Sequence, residues 1–102
     1  MLEQEKILVV KYSKLLQERG LTRGTGGNIS VIDRQQGLVA ITPSAVEYDE
    51  LVPQDVAVIN LEGKVIEGNY EPSSEKDMHL ECYKRREDIG AVVHTHSLYA
   101  TI

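Results

Sequence analysis

Apolar residues in the first twenty positions recur three and four apart. Leu8, Val9, Tyr12, Leu15 and Leu16 fall on one face of a helix predicted over residues 2–19. Gly20 is a natural stop, because glycine adopts the left-handed conformation that closes helices. The pattern then breaks at Leu21-Thr22-Arg23-Gly24-Thr25-Gly26-Gly27-Asn28, a loop with three glycines. Residues 29–33 alternate partly, Arg34-Gln35-Gln36-Gly37 reads as a turn, and residues 38–42 return, so a β-hairpin is expected. A short helical turn at 48–51 precedes strands at 56–60 and 64–67, which are joined by a turn at Glu62-Gly63. Ser73 or Ser74 caps a helix over about residues 75–86, with Glu75 and Asp77 in the first turn, where the helix dipole favours acids. Ala91-Val92-Val93 is a buried-strand run that delivers His94-Thr95-His96 at its end.

The order is thus helix, four strands, helix, strand. Ser97 reads as the N-cap of a further helix, within which Ile102 is the last residue. The several short connections suit antiparallel pairing. At 102 residues the chain fits one small domain or part of a larger one. The interrupted final helix favours the second reading: residues 1–102 as the N-terminal part of a single domain, cut at its C-terminus.

Composition narrows the function classes. With 41% apolar and 26% charged residues, the chain has the make-up of an ordinary globular protein. There is no Phe or Trp, so Val, Ile, Leu and five Tyr must fill the core. The net charge of -5 argues against binding a nucleic-acid backbone. No apolar run reaches the roughly 20 residues that span a bilayer, so no membrane role is expected. One cysteine, Cys82, allows no intrachain disulfide, and the acidic start Met1-Leu2-Glu3-Gln4-Glu5 is unlike a signal peptide. A cytoplasmic protein is the expectation.

Three segments carry candidate chemistry. In a strand, residues i and i+2 point to the same face, so His94 and His96 would stand side by side on a rigid support. Paired imidazoles suit zinc, although two exposed histidines at a strand end share the same pattern. His79, mid-helix, reads as a surface or packing residue rather than a ligand. Gly24-Thr25-Gly26-Gly27-Asn28 could turn backbone N–H groups toward an anion, and it also serves as a plain flexible turn. Pro72-Ser73-Ser74-Glu75 joins hydroxyls to a helix N-terminus, where anions bind. A carboxylate there can act as a general base near a metal, and it can equally be an acidic first turn.

Taken in order, Gly24-Thr25-Gly26-Gly27-Asn28-Ile29-Ser30, Ile41-Thr42-Pro43-Ser44-Ala45, Pro72-Ser73-Ser74-Glu75 and Ala91-Val92-Val93-His94-Thr95-His96-Ser97 resemble the class II aldolase/adducin family across nearly the whole chain. The resemblance implies a three-layer α/β/α fold around a mostly antiparallel sheet. It implies Zn2+ held by His94, His96 and Glu75, with Glu75 also the catalytic acid/base. Gly27, Asn28, Ser73 and Ser74 match positions that bind substrate phosphate. Ser44 and Ala45 match a further pair where the aldolase pattern has Thr-Gly. The implied reaction is cleavage of a phosphorylated ketose of the L-fuculose-1-phosphate type to dihydroxyacetone phosphate and an aldehyde, in a homotetramer. The resemblance extends to ribulose-phosphate 4-epimerases, whose pattern carries Asp where this chain has Glu75. It also extends to methylthioribulose-phosphate dehydratases, which keep a Glu, and to non-catalytic adducin-like modules.

Overall fold

The computed structural model describes residues 1–20 and 27–95. Helix α1 runs Glu3–Glu18, and strands β1 Asn28–Asp33 and β2 Leu38–Ile41 follow. Two single 3-10 turns, Tyr48–Glu50 and Pro53–Asp55, lead into β3 Ala57–Asn60 and β4 Val65–Glu67. Helix α2, Lys76–Arg85, then carries the chain to β5, Ala91–His94. The sheet order is β4-β3-β2-β1-β5, and each neighbouring pair is antiparallel. The expected β1–β2 hairpin forms, and β3 and β4 pair antiparallel across the turn expected at Glu62-Gly63. The glycine loop at 24–26, His96 and the helix expected after Ser97 lie outside the described residues.

Alternation along the strands sorts the core into two layers. On one face, Ile32, Val39, Ile41, Ala57 and Ile59 pack against Leu80 and Tyr83 of α2. On the other, Ile29, Ala40, Val56 and Val58 pack against Leu2 and Val9 at α1. A period of two in each strand thus supplies one helix on each side, giving the three layers. Each fully buried Ile or Val contributes about 1.5–3 kcal/mol relative to exposure.

The buried stripe of α1 differs from the expected one. Leu2, Lys6, Val9 and Ser13 turn inward, at spacings of four, three and four. Leu8 and Tyr12 are 39% and 44% exposed. The reason is tertiary: Lys6 is buried, and its ammonium reaches Glu67 of β4 in an ion pair. That anchor rotates α1 away from the orientation that its most apolar residues alone would select.

The hairpin turns obey local chemistry. Asp33 accepts hydrogen bonds from the Gln35 backbone at 3.0 Å and the Gln36 side chain at 2.8 Å, and Gly37 closes the turn at φ 67°. Arg34, at the tip, reaches across to α2 and donates to the carbonyls of Arg86 at 2.7 Å and Ile89 at 2.9 Å. Its guanidinium also lies 5.9 Å from the Tyr83 ring centre. The β1–β2 turn therefore holds the C-terminal end of α2, where a cation is electrostatically favoured.

Candidate active site

One end of the sheet gathers those residues singled out by sequence that are described: Gly27-Asn28, Ser44-Ala45, Ser73-Ser74-Glu75 and His94. There β1 begins, β2 and β5 end, and α2 starts. Asn28 faces His94 across the β1–β5 ladder. Thr42 closes the neighbouring ladder, its N–H donating to the Ile29 carbonyl at 3.0 Å while its Oγ1 accepts from the Ile29 N–H at 3.3 Å. The Thr42 carbonyl then accepts from the Ser73 N–H at 2.9 Å, and the Ser44 N–H donates to the Glu71 carbonyl at 3.0 Å. A Pro43–Pro72 bridge thus clamps the two loops that carry Ser44-Ala45 and Ser73-Ser74-Glu75.

Two further contacts fix the site's entrance. The Tyr48 hydroxyl, buried beneath the loops, donates to the Gly27 carbonyl at 2.6 Å. Gly27 has φ 82°, a left-handed conformation in which a side chain is strained, and this turn aims the chain into β1. Burial raises the Tyr48 pKa, so this hydroxyl keeps the proton it donates. Ser73 Oγ accepts from the Glu75 N–H at 3.1 Å. The cap of α2 is therefore supplied by Ser73, from two residues ahead of Glu75, while Ser74 is exposed.

The donors left for a ligand follow by subtraction. The Ser44 and Ser73 N–H groups are engaged in the bridge, but their hydroxyls donate to no described residue. Ser74 stands exposed at the α2 N-terminus, and Ala45 is also exposed. Hydroxyls and free amides at a helix start favour an anion.

Behind these loops is a buried polar row that sequence reading missed. Asn28 and Ser30 occupy inward positions of β1, at 4% and 0% exposure. His79 is fully buried and lies between them. Its Nδ1 is 2.6 Å from Ser30 Oγ, and its Nε2 is hydrogen bonded to Asn28 Oδ1. Ser30 Oγ is in turn 2.7 Å from the Tyr83 hydroxyl. Burial first, and then the nearby His94, pull the His79 pKa down to about 4, so its ring is neutral at physiological pH. Burial pushes the Tyr83 hydroxyl up to about 12. The readable signal was a pair of polar residues at i and i+2 in an otherwise apolar strand, matched by His79 and Tyr83 at i and i+4 on a helix.

Glu75 precedes this row along α2. Its carbonyl accepts from the His79 N–H at 3.3 Å, so Glu75 sits one helical turn ahead of His79 at the mouth of α2. His94 is half-buried on the same sheet face as Asn28, to which its backbone pairs. The described donors bear on a metal in two ways. His79, expected to be a surface or packing residue, is fully buried with both ring nitrogens hydrogen bonded. The imidazole of His94 on a stiff strand and the carboxylate of Glu75 at a helix start are donors of the kinds zinc takes. Among the described residues, no three His, Cys, Asp or Glu side chains come together around one position. The described donors thus fit as part of a set whose remaining member by sequence, His96, lies outside the described residues.

Residues 7–102 match the class II aldolase and adducin N-terminal domain, and the chain belongs to that family. Among relatives, it is 58% identical over 100 residues to 5-deoxy-D-ribulose 1-phosphate aldolase of Bacillus thuringiensis serovar kurstaki, covering 98% of this chain and 47% of that protein. Among solved structures, an L-fuculose 1-phosphate aldolase superposes with a TM-score of 0.92 at 46% identity, covering 99% of this chain and 48% of the other. L-fuculose-1-phosphate aldolase of Thermus thermophilus follows the same fold with a TM-score of 0.74 at 34% identity, covering 94% and 48%. The chain therefore spans about half the length of the relatives it matches.

Proposed function

We propose that this chain is the N-terminal half of a zinc-dependent class II aldolase that cleaves a phosphorylated ketose to dihydroxyacetone phosphate and an aldehyde. The observation that carries the reading is the convergence of Gly27-Asn28, Ser44-Ala45, Ser73-Ser74-Glu75 and His94 on one end of the sheet. His94, His96 and Glu75 would hold the cation, which when bound supplies Lewis acidity to the substrate's carbonyl and hydroxyl oxygens. Glu75 moves the proton to and from the carbon left by carbon–carbon cleavage. Asn28 and the hydroxyls of Ser44, Ser73 and Ser74 hold the phosphate, with Gly27 and Ala45 allowing its close approach. Phosphate binding becomes orientation of the reacting carbons.

The relatives named above act on 5-deoxy-D-ribulose 1-phosphate or L-fuculose 1-phosphate, and a short deoxyketose 1-phosphate is the substrate class proposed here. Glu75 favours the aldolase over a ribulose-phosphate 4-epimerase, whose pattern has Asp at this position. A homotetramer in the cytoplasm is part of the proposal. Among the described residues, no helix is long and apolar enough to cross a membrane.

The test is an aldol-cleavage assay on the full-length protein, with the metal content determined in parallel. Zinc at one equivalent per chain and release of dihydroxyacetone phosphate are expected. Glu75→Gln should lower kcat by about 100-fold or more, the scale of a lost general acid–base group. A folded protein without metal or cleavage activity would favour an adducin-like binding module instead.

A further inference from the structure

The fully buried His79 takes no part in the chemistry proposed above, yet both of its ring nitrogens are hydrogen bonded. The row Tyr83–Ser30–His79–Asn28 can be ordered in two directions. Counting protons decides between them.

In one direction, Asn28 donates to His79 Nε2, His79 Nδ1–H donates to Ser30, and Ser30 donates to Tyr83. The Tyr83 proton is then left over. Among the described residues its hydroxyl has one side-chain partner, Ser30. Among the described residues, no other acceptor is hydrogen bonded to that hydroxyl. Ser30 Oγ has a second lone pair for the Tyr83 proton, but its own proton is then the one left over, so this direction strands one buried hydroxyl proton either way, at a cost of about 1–3 kcal/mol.

In the other direction, every buried proton has an acceptor. Tyr83 O–H donates to Ser30 Oγ, Ser30 O–H donates to His79 Nδ1, and His79 Nε2–H donates to Asn28 Oδ1. The row ends with the Asn28 carboxamide held by its oxygen, and its NH2 group makes no hydrogen bond to a described residue. Had the row run the other way, Asn28 would present a carbonyl oxygen, which repels an anion.

We propose that His79 is a positioning residue: with Ser30 and Tyr83 it forms a one-way hydrogen-bond row that holds the Asn28 amide with its NH2 group toward the phosphate of the substrate. This rests on the reading of Asn28 as a phosphate ligand. The neutral ring of His79 suits the task, because imidazolium would donate from both nitrogens and leave Ser30 no acceptor at Nδ1.

The experiment uses the full-length protein with inorganic phosphate as the probe. Phosphate affinity is measured by calorimetry, and the His79 ring is observed by 15N NMR. The unsubstituted protein should show His79 protonated at Nε2. His79→Leu should weaken phosphate binding about tenfold, the factor for one hydrogen bond to a charged group. His79→Gln, whose amide can still donate to Asn28, should restore most of it. Tyr83→Phe cannot touch the anion and nearly preserves shape. It should yield a mixed His79 tautomer and a severalfold loss of phosphate affinity. If His79→Leu does not fold, Tyr83→Phe and the NMR spectrum decide. An Nδ1–H tautomer in the unsubstituted protein, or unchanged phosphate affinity in the folded variants, overturns the positioning role alone. Failure of the unsubstituted protein to bind phosphate overturns the anion-site reading and this inference with it.

Discussion

Asn28 and His94 are direct partners across the β1–β5 ladder, so the residue read as a phosphate ligand and the residue read as a metal ligand share one rung of the sheet. Their spacing is set by backbone hydrogen bonds rather than by flexible loops. A strand pair fixes side-chain origins about 5 Å apart, and this suits a substrate that must meet a cation and an anion site together.

That rung gives the first prediction. His94→Ala should keep the fold, because the ladder is made by the backbone and His94 is half-buried at a strand end. Zinc content of the full-length protein should fall below half an equivalent, and cleavage activity should fall with it. Metal analysis beside circular dichroism checks both. Full zinc retention would remove His94 from the ligand set.

Tyr48 yields a prediction about the entrance. Tyr48→Phe removes the donor to the Gly27 carbonyl and leaves a buried acceptor unpaired. A loss of about 1–2 kcal/mol in urea unfolding is expected. KM for the phosphorylated substrate should rise more than kcat falls, because Gly27 leads directly into Asn28.

Arg34 is exposed, yet it bridges the β1–β2 turn to the end of α2 through three backbone carbonyls, those of Tyr83, Arg86 and Ile89. Arg34→Ala should cost about 1–2 kcal/mol, since donors from a charged group to carbonyls are stronger than neutral ones. Arg34→Lys should recover only part of this, because one ammonium cannot span the guanidinium's fork. Thermal unfolding of the pair of variants checks the ranking.

The buried His79 makes stability depend on pH. Its ring titrates near 4 in the folded protein, against about 6.5 when unfolded. Between these values the unfolded chain binds a proton that the folded chain does not. Stability is therefore full above about pH 6.5 and declines as pH falls toward 4. Glu67 and Asp33, lowered respectively by the Lys6 ammonium and by the Gln36 side chain, add their own loss at more acidic pH. Urea unfolding at pH 7, 6 and 5 should show the decline, and His79→Gln should flatten it. An equal slope in both proteins would show that His79 is not the group responsible.

Much of this architecture was legible in the chain. Local signals are sufficient for element order: partial alternation for β1, short apolar runs for β2 and β3, Gly20 and Gly37 for stops, and an acidic first turn for α2. The hairpins followed because short connections permit little else. The motif order carried the family. The facing of α1 was not legible, because Leu8 and Tyr12 look better suited to a core than Lys6 does. The ion-pair partner of the buried Lys6 is Glu67 on β4, 61 positions away, which no local pattern reveals.

The sequence by itself determined the elements, the two-sided burial of the strands and the identity of the candidate donors, because these depend on periodicity and on chemistry carried by each residue. Tertiary structure alone decided which donors remain free. The Pro43–Pro72 bridge consumes the Ser44 and Ser73 amides, and the row from Tyr83 to Asn28 joins residues 55 positions apart. Hydrogen-bond partners at such separations are set by how the strands and helix pack. No local pattern encodes which of two lone pairs or protons a neighbour will occupy.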